Sequence, residues 1–153
     1  MIIGDSSALV ALSIMDRLDL LESVFEKIYV PQAVYDEVAV SDKPHSAKLK
    51  VFLTGKVVDV ELSISKIGLG NGELEAISLY KNMDADFLLV DDKRAKSFAK
   101  LNGINVIGSL GVMVLAKELG KVKSIKDDLK KLLKSNVFVS KNLIERVLIS
   151  VGE

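Results

Sequence analysis

The sequence has 153 residues, 49% hydrophobic and 27% charged, with 21 Lys and Arg set against 21 Asp and Glu. That length and apolar content allow one domain with a buried core and exclude a disordered chain, while the even charge balance excludes a global basic field, so any nucleic-acid binding has to be local. Cysteine is absent and His45 is the only histidine, which removes disulfides, thiolate zinc sites and cysteine nucleophiles and leaves carboxylates, hydroxyls and amines to carry chemistry.

Mean hydropathy is +0.32, high for a soluble monomer. The longest apolar runs, such as Ala8 to Leu12 and Val112 to Ala116, are nevertheless far shorter than the roughly 20 residues that span a bilayer. The surplus predicts a partner surface, as in a homodimer, rather than a membrane segment. No basic segment precedes the first apolar stretch and Asp5 interrupts it, so the expectation is a cytoplasmic protein without a secretory signal.

Short apolar runs alternate with segments of helical spacing, the pattern of strands and helices in alternation. Met1 to Gly4 predicts a strand, after which Ser6 or Ser7 can cap a helix through about Ile14 and Asp16 a second through about Phe25. Lys27 to Val30 is the next strand, and Pro31 suits the first turn of a third helix. A fourth helix starts at Pro44 and runs to Leu53, followed by a strand over Val57 to Val60. Gly68-Leu69-Gly70-Asn71-Gly72 is a loop by composition, and Asn71 can cap the helix beyond it. Strands over Asp86 to Val90 and Asn105 to Ile107 flank a helix beginning near Lys93. Ser109 to Leu119 is a helix stopped by Gly120, and Ser124 to Val151 holds two more around Asn136-Val137-Phe138-Val139.

Acidic residues punctuate this pattern. Asp5 follows the first apolar run, and Asp91 and Asp92 follow Phe87-Leu88-Leu89-Val90, so each lies where a buried strand stops. In a parallel sheet all strand C-ends share one edge, the edge at which open α/β sheets bind ligands. Glu37 lies three residues from Val34 and next to Val38, on the apolar side of its helix, whereas Asp36 shares its face with Gln32. Glu73 leads the stripe Glu73, Ala76, Ile77 and Tyr80, and Glu75 falls with Ser78 and Asn82, turned more toward solvent. Glu37, on an inward edge, needs a partner that a metal or an Arg would supply, and the other acids also have a plain structural use. Asp5 can cap a helix, Glu73 can complement the helix dipole, and one of Asp91 and Asp92 can cap the helix near Lys93. Gathered at one edge these carboxylates would repel one another without a cation between them, and Mg²⁺ or Mn²⁺, which prefer oxygen ligands, suit such a set.

The order Ile3-Gly4-Asp5-Ser6-Ser7-Ala8-Leu9, Val30-Pro31 with Glu37-Val38, Gly72-Glu73-Leu74-Glu75-Ala76-Ile77, and Leu88-Leu89-Val90-Asp91-Asp92-Lys93-Arg94-Ala95 resembles a PIN domain over essentially the whole chain. With the Gly-Ser-Leu-Gly-Val segment at Gly108 to Val112, it is most similar to the prokaryotic branch of VapC-type toxin ribonucleases. The resemblance implies a single PIN-like domain over residues 1–153, a three-layer α/β/α fold around a central parallel sheet. It implies Mg²⁺- or Mn²⁺-dependent cleavage of RNA phosphodiester bonds, often by the toxin of a toxin–antitoxin pair, with an antitoxin protein as partner. By motif position Asp5, Glu37, Glu73 and Asp92 match the family's catalytic, metal-holding acids, with Asp91 a further metal ligand, and Ser7 matches its small hydroxyl residue. Two positions depart from the pattern: Val90 stands where Thr is usual, and Glu73 where many relatives have Asp.

Lys93, Lys96 and Lys100 are spaced i, i+3, i+7 with Arg94 beside them, a stripe that reads either as a solvated helix face or as a contact for RNA phosphates. His45, beside Pro44, reads as a loop or helix-start residue. Gly68, Gly70 and Gly72 match neither a Walker loop nor a Gly-x-Gly-x-x-Gly fingerprint. Gly4-Asp5-Ser6 resembles the opening of a GDSL-type serine hydrolase, but no histidine follows His45 to act as its base. A haloacid-dehalogenase-like phosphatase would need an Asp where Ser7 stands. The remaining alternative to a nuclease is a catalytically inactive PIN-like scaffold that binds RNA or protein.

Overall fold

In a computed structural model, which describes residues 1–62 and 70–153, the apolar runs pair as a five-stranded sheet in the order β3-β2-β1-β4-β5. The strands are β1 (Ile2–Gly4), β2 (Ile28–Pro31), β3 (Val57–Val58), β4 (Phe87–Leu89) and β5 (Val106–Ile107). All pairs are parallel: Ile3 is opposite Tyr29 on one side and Leu88 on the other, Val30 is opposite Val57, and Leu89 is opposite Ile107. Ile2, Ile3, Val30, Leu88 and Leu89 are fully or almost fully buried, as expected of strands covered on both faces.

Parallel neighbours need long crossovers, and helices supply them. These are α1 (Ser6–Ile14), α2 (Asp19–Phe25), α3 (Gln32–Ala39), α4 (Pro44–Phe52), α5 (Asn71–Met83), α6 (Lys93–Leu101) and α7 (Ser109–Glu118), followed by α8 (Lys126–Leu133) and α9 (Lys141–Ser150). Helix α5 packs across β1, β2 and β4, and against α3, while α2 packs on β2 and α7. The parallel sheet flanked by helices is the architecture the sequence predicts.

The chain order of the strands locates the candidate edge. From β1 it moves outward to β2 and β3, then returns to β4 and β5 on the other side, so the order reverses at β1. The crevice beyond the C-ends of strands at such a reversal is the binding place of open α/β sheets. Asp5 stands there, its backbone N–H extending the ladder to the Leu89 carbonyl at 2.9 Å.

Local differences from the sequence reading have local causes. Asp16 does not cap α2; it turns the chain after α1 with φ of 59°, a left-handed conformation that Asp tolerates, and Leu18 is the N-cap of α2. Pro31 closes β2 and precedes α3 instead of opening it. Helix α5 begins at Asn71 with Gly70 as N-cap, because the Glu73 carboxylate reaches back to the Gly70 N–H at 2.7 Å. Gly68 and Leu69 of the expected loop lie outside the described residues.

Candidate active site

Asp5 is 4% exposed. It occupies the N-cap position of α1, yet its side chain makes no capping bond, and its Oδ1 has no hydrogen-bond partner among the described residues. Burial lifts its pKa to about 7, with the charges of Glu73, Glu37 and Asp92 adding to the rise and the Ser6 N–H opposing it. A buried carboxylate whose acidic neighbours also disfavour its charge is poised for a cation.

Those same acids line one cleft of about 430 Å³ with Asp5, Ser6, Ser7 and Gly70. Each comes from a different element: Asp5 from the end of β1, Glu37 from α3, Glu73 from the first turn of α5, and Asp92 from the turn between β4 and α6. Glu37 Oε2 accepts a hydrogen bond from Ser6 Oγ at 2.5 Å. Its other oxygen leans over Gly72, where an added Cβ would lie 2.5 Å from Oε1, so a side chain there would push this carboxylate out of its present position. Glu73 lines the cleft while bonded to the Gly70 N–H. Asp92 lines it while capping α6, accepting from the Ala95 N–H at 2.8 Å. Cleft-lining and capping uses therefore coexist in Asp92 and Glu73.

Asp91 is placed elsewhere. Its Oδ1 accepts from the Ser109 N–H at 2.7 Å and its Oδ2 from Ser109 Oγ at 2.6 Å, so it fastens the start of α7 and does not line the cleft. A Cβ on Gly108 would meet Asp91 Oδ1 at 2.8 Å, which accounts for the Gly-Ser pair opening that segment. Ser7 lies at the cleft and its Oγ accepts from the Asp91 N–H at 3.3 Å, tying the β4–α6 turn to α1.

Glu75 corrects the solvent-facing expectation. Its Oε2 accepts from the Ala33 N–H at 3.1 Å, at the start of α3, because α5 is wedged between the sheet and α3 and its Ser78 side is buried as well. Lys93, Arg94, Lys96 and Lys100 lie on α6, outside the cleft lining, with Lys93, Arg94 and Lys100 exposed and Lys96 half-buried. Ser6 is the residue that sequence reasoning passed over. From the sequence it reads only as a cap of α1 or as the serine of a hydrolase-like opening, and its position one residue after Asp5 was the available signal for a role in orienting Glu37.

The model of the PIN-domain family matches residues 1–153. This chain belongs to the PIN-domain family. Among curated proteins, no sequence matches it. PIN domains are generally nucleases and typically use divalent metal ions. This PIN domain's residues fit such an ion by chemistry: hard carboxylate oxygens facing one cleft, and a buried Asp5 Oδ1 that no described protein donor satisfies. Among the described residues no three His, Cys, Asp or Glu side chains are posed together to hold an ion, Glu37 and Glu73 being turned to the Ser6 hydroxyl and the Gly70 N–H.

Proposed function

We propose that this PIN domain, a single domain over residues 1–153, is a Mg²⁺- or Mn²⁺-dependent endoribonuclease that cleaves RNA phosphodiester bonds, acting as a cytoplasmic toxin of a toxin–antitoxin pair. The observation that carries the reading is the buried Asp5, its Oδ1 without a hydrogen-bond partner among the described residues, in one cleft with Glu37, Glu73 and Asp92. Those four acids would hold the ion. When bound, the ion supplies a Lewis acid for the phosphate and an activated water. Asp5 anchors from the floor, where water is excluded and its charge is felt most strongly. Ser6 holds the Glu37 carboxylate in orientation, and Ser7 steadies the turn that presents Asp92. Lys93, Arg94, Lys96 and Lys100 begin one residue beyond Asp92 and offer positive charge to the RNA strand. An antitoxin protein or a second copy of the chain would cover exposed apolar side chains. Among the described residues no helix is long and apolar enough to cross a membrane.

The test is cleavage of single-stranded RNA with and without Mn²⁺. Asp5→Asn and Asp92→Asn each remove a charge without changing size, so each should lower the metal-dependent rate on the order of 100-fold or more while circular dichroism shows the fold intact. Parent-like cleavage by both variants would refute the metal-site reading, and RNA binding without cleavage by the parent would favour the inactive scaffold.

A further inference from the structure

At the other end of α1 lies a second cavity, of about 680 Å³. Ser13 of α1 forms part of one wall, Lys43, His45 and Lys48 at the start of α4 form another, and Lys134 closes it beside the turn that follows α8. Among the described residues its lining has four basic side chains and no acid, in a chain whose formal net charge is zero. Seven residues of helix separate Ser6 in the acidic cleft from Ser13 here, roughly 10 Å of rise. The two cavities are therefore distinct.

Two independent features point to an anion. Ser13 is 1% exposed and its Oγ has no hydrogen-bond partner among the described residues, although a buried hydroxyl is costly to leave unpaired. Helix α4 brings its N-terminal end to the same space with Lys43 as N-cap, no side-chain capping bond and no acid in its first turn, the reverse of what the helix dipole favours. Pro44 has no N–H and the Ser46 N–H is bonded to the Lys43 carbonyl at 3.0 Å, so this end attracts an anion through its dipole and its lysine and not through a row of free N–H groups. Lys48 has a partial counter-charge, Asp16 Oδ1 at 3.3 Å, but both side chains are more than half exposed. Burial, with a smaller contribution from the charge of Lys43, holds the pKa of His45 below its ordinary value.

We propose that this cavity is a phosphate-binding pocket, with the Ser13 hydroxyl at its floor, the N-terminus of α4 at its wall, and Lys43 and Lys134 supplying charge at its rim. The phosphate is either a diester of an RNA strand or the monoester of a nucleotide-like small molecule. A volume of about 680 Å³ exceeds a lone phosphate and lies in the range of small-ligand pockets.

The experiment is NMR titration of the full ¹⁵N-labelled chain without divalent ions, so that binding is read independently of cleavage. The probes are inorganic phosphate, adenosine 5′-monophosphate and a short single-stranded RNA with a 5′-hydroxyl end. Saturable shifts of the Ser13, His45 and Ser135 to Val137 amides are expected with phosphate. The surface pair Lys43→Gln and Lys134→Gln should raise the dissociation constant at least about tenfold, and Ser13→Ala should also weaken it. Saturation by the monophosphate and not the RNA assigns a monoester ligand, and saturation by the RNA assigns a strand. Absence of saturable shifts with all three probes, or shifts unchanged in the double-lysine variant, would overturn the proposal.

Discussion

Glu73 and Glu75 are two residues apart on α5, yet their carboxylates serve different neighbours. Glu73 lines the acidic cleft and accepts from the Gly70 N–H, whereas Glu75 accepts from the Ala33 N–H of another helix. A Gln side chain keeps the acceptor oxygen in both places and removes only the charge. Glu73→Gln should therefore lower RNA cleavage at least about tenfold with little change in melting temperature, since a lost ionic ligand acts on the reaction and not on the cap. Glu75→Gln should leave most of the activity. Cleavage rates measured side by side decide this, and a larger loss in the Glu75 variant would contradict the assignment. Asp5 gives a second prediction, for the metal-free protein. Its folded pKa of about 7 lies above the ordinary 3.8, so between those values the folded state binds more protons than the unfolded one and stability falls as pH rises. The contribution is fully present below about pH 4 and lost by about pH 7, on the order of 4 kcal/mol at most. In Asp5→Asn that slope should vanish and the metal-free melting temperature above pH 7 should rise; denaturant midpoints measured from pH 4 to pH 8 would show it.

At the scale of elements, all five strands were legible because each is a short apolar run followed by a turn or charge, and the helices because their apolar spacing changes beside a recognisable start. Legibility failed where a side chain from a distant part of the chain decides the outcome. Asp91 and Asp92 are adjacent and chemically alike, and only the arrival of Ser109 beside Asp91 separates the helix-α7 anchor from the cleft-lining cap. Glu75 was misread because a single helical stripe cannot reveal that α5 is buried on two sides. The start of α8 is another such case. Glu153 Oε2 accepts from Lys117 Nζ at 2.7 Å and from the Ile125 N–H at 3.0 Å, and Oε1 accepts from the Ser124 hydroxyl and the Lys126 N–H. The Lys117 and Ser124 bonds, followed by the backbone N–H groups, lower its pKa to about 2 from 4.5. A depressed folded pKa means that this stabilisation is present above about pH 4.5 and lost as pH falls toward about 2. Glu153→Gln should cost about 1.5–3 kcal/mol at neutral pH and flatten the acid limb of the stability curve; urea unfolding at pH 7 and pH 3 measures both effects.

For the whole molecule, the informative quantity is the apolar surface that folding leaves uncovered. The sheet and its helices bury an extensive core, but Phe138 remains 96% exposed, Leu101 87%, and Val51 and Ile149 77% each. Single exposed apolar residues are ordinary on a soluble protein, and among the described residues Phe138 is the largest of those left exposed. Its position between α8 and α9, next to the half-buried Val137 and Val139, makes the C-terminal helical pair the expected contact region. A formal net charge of zero at pH 7 leaves no global repulsion to oppose association. Light scattering at high protein concentration should therefore give twice the 16.7 kDa mass of the chain. Burying a Phe side chain contributes about 1.5–3 kcal/mol, and a two-fold interface uses it twice, so Phe138→Ser should shift the same sample to monomer without lowering its melting temperature at low concentration. A parent protein that scatters as a monomer at high concentration would refute the dimer.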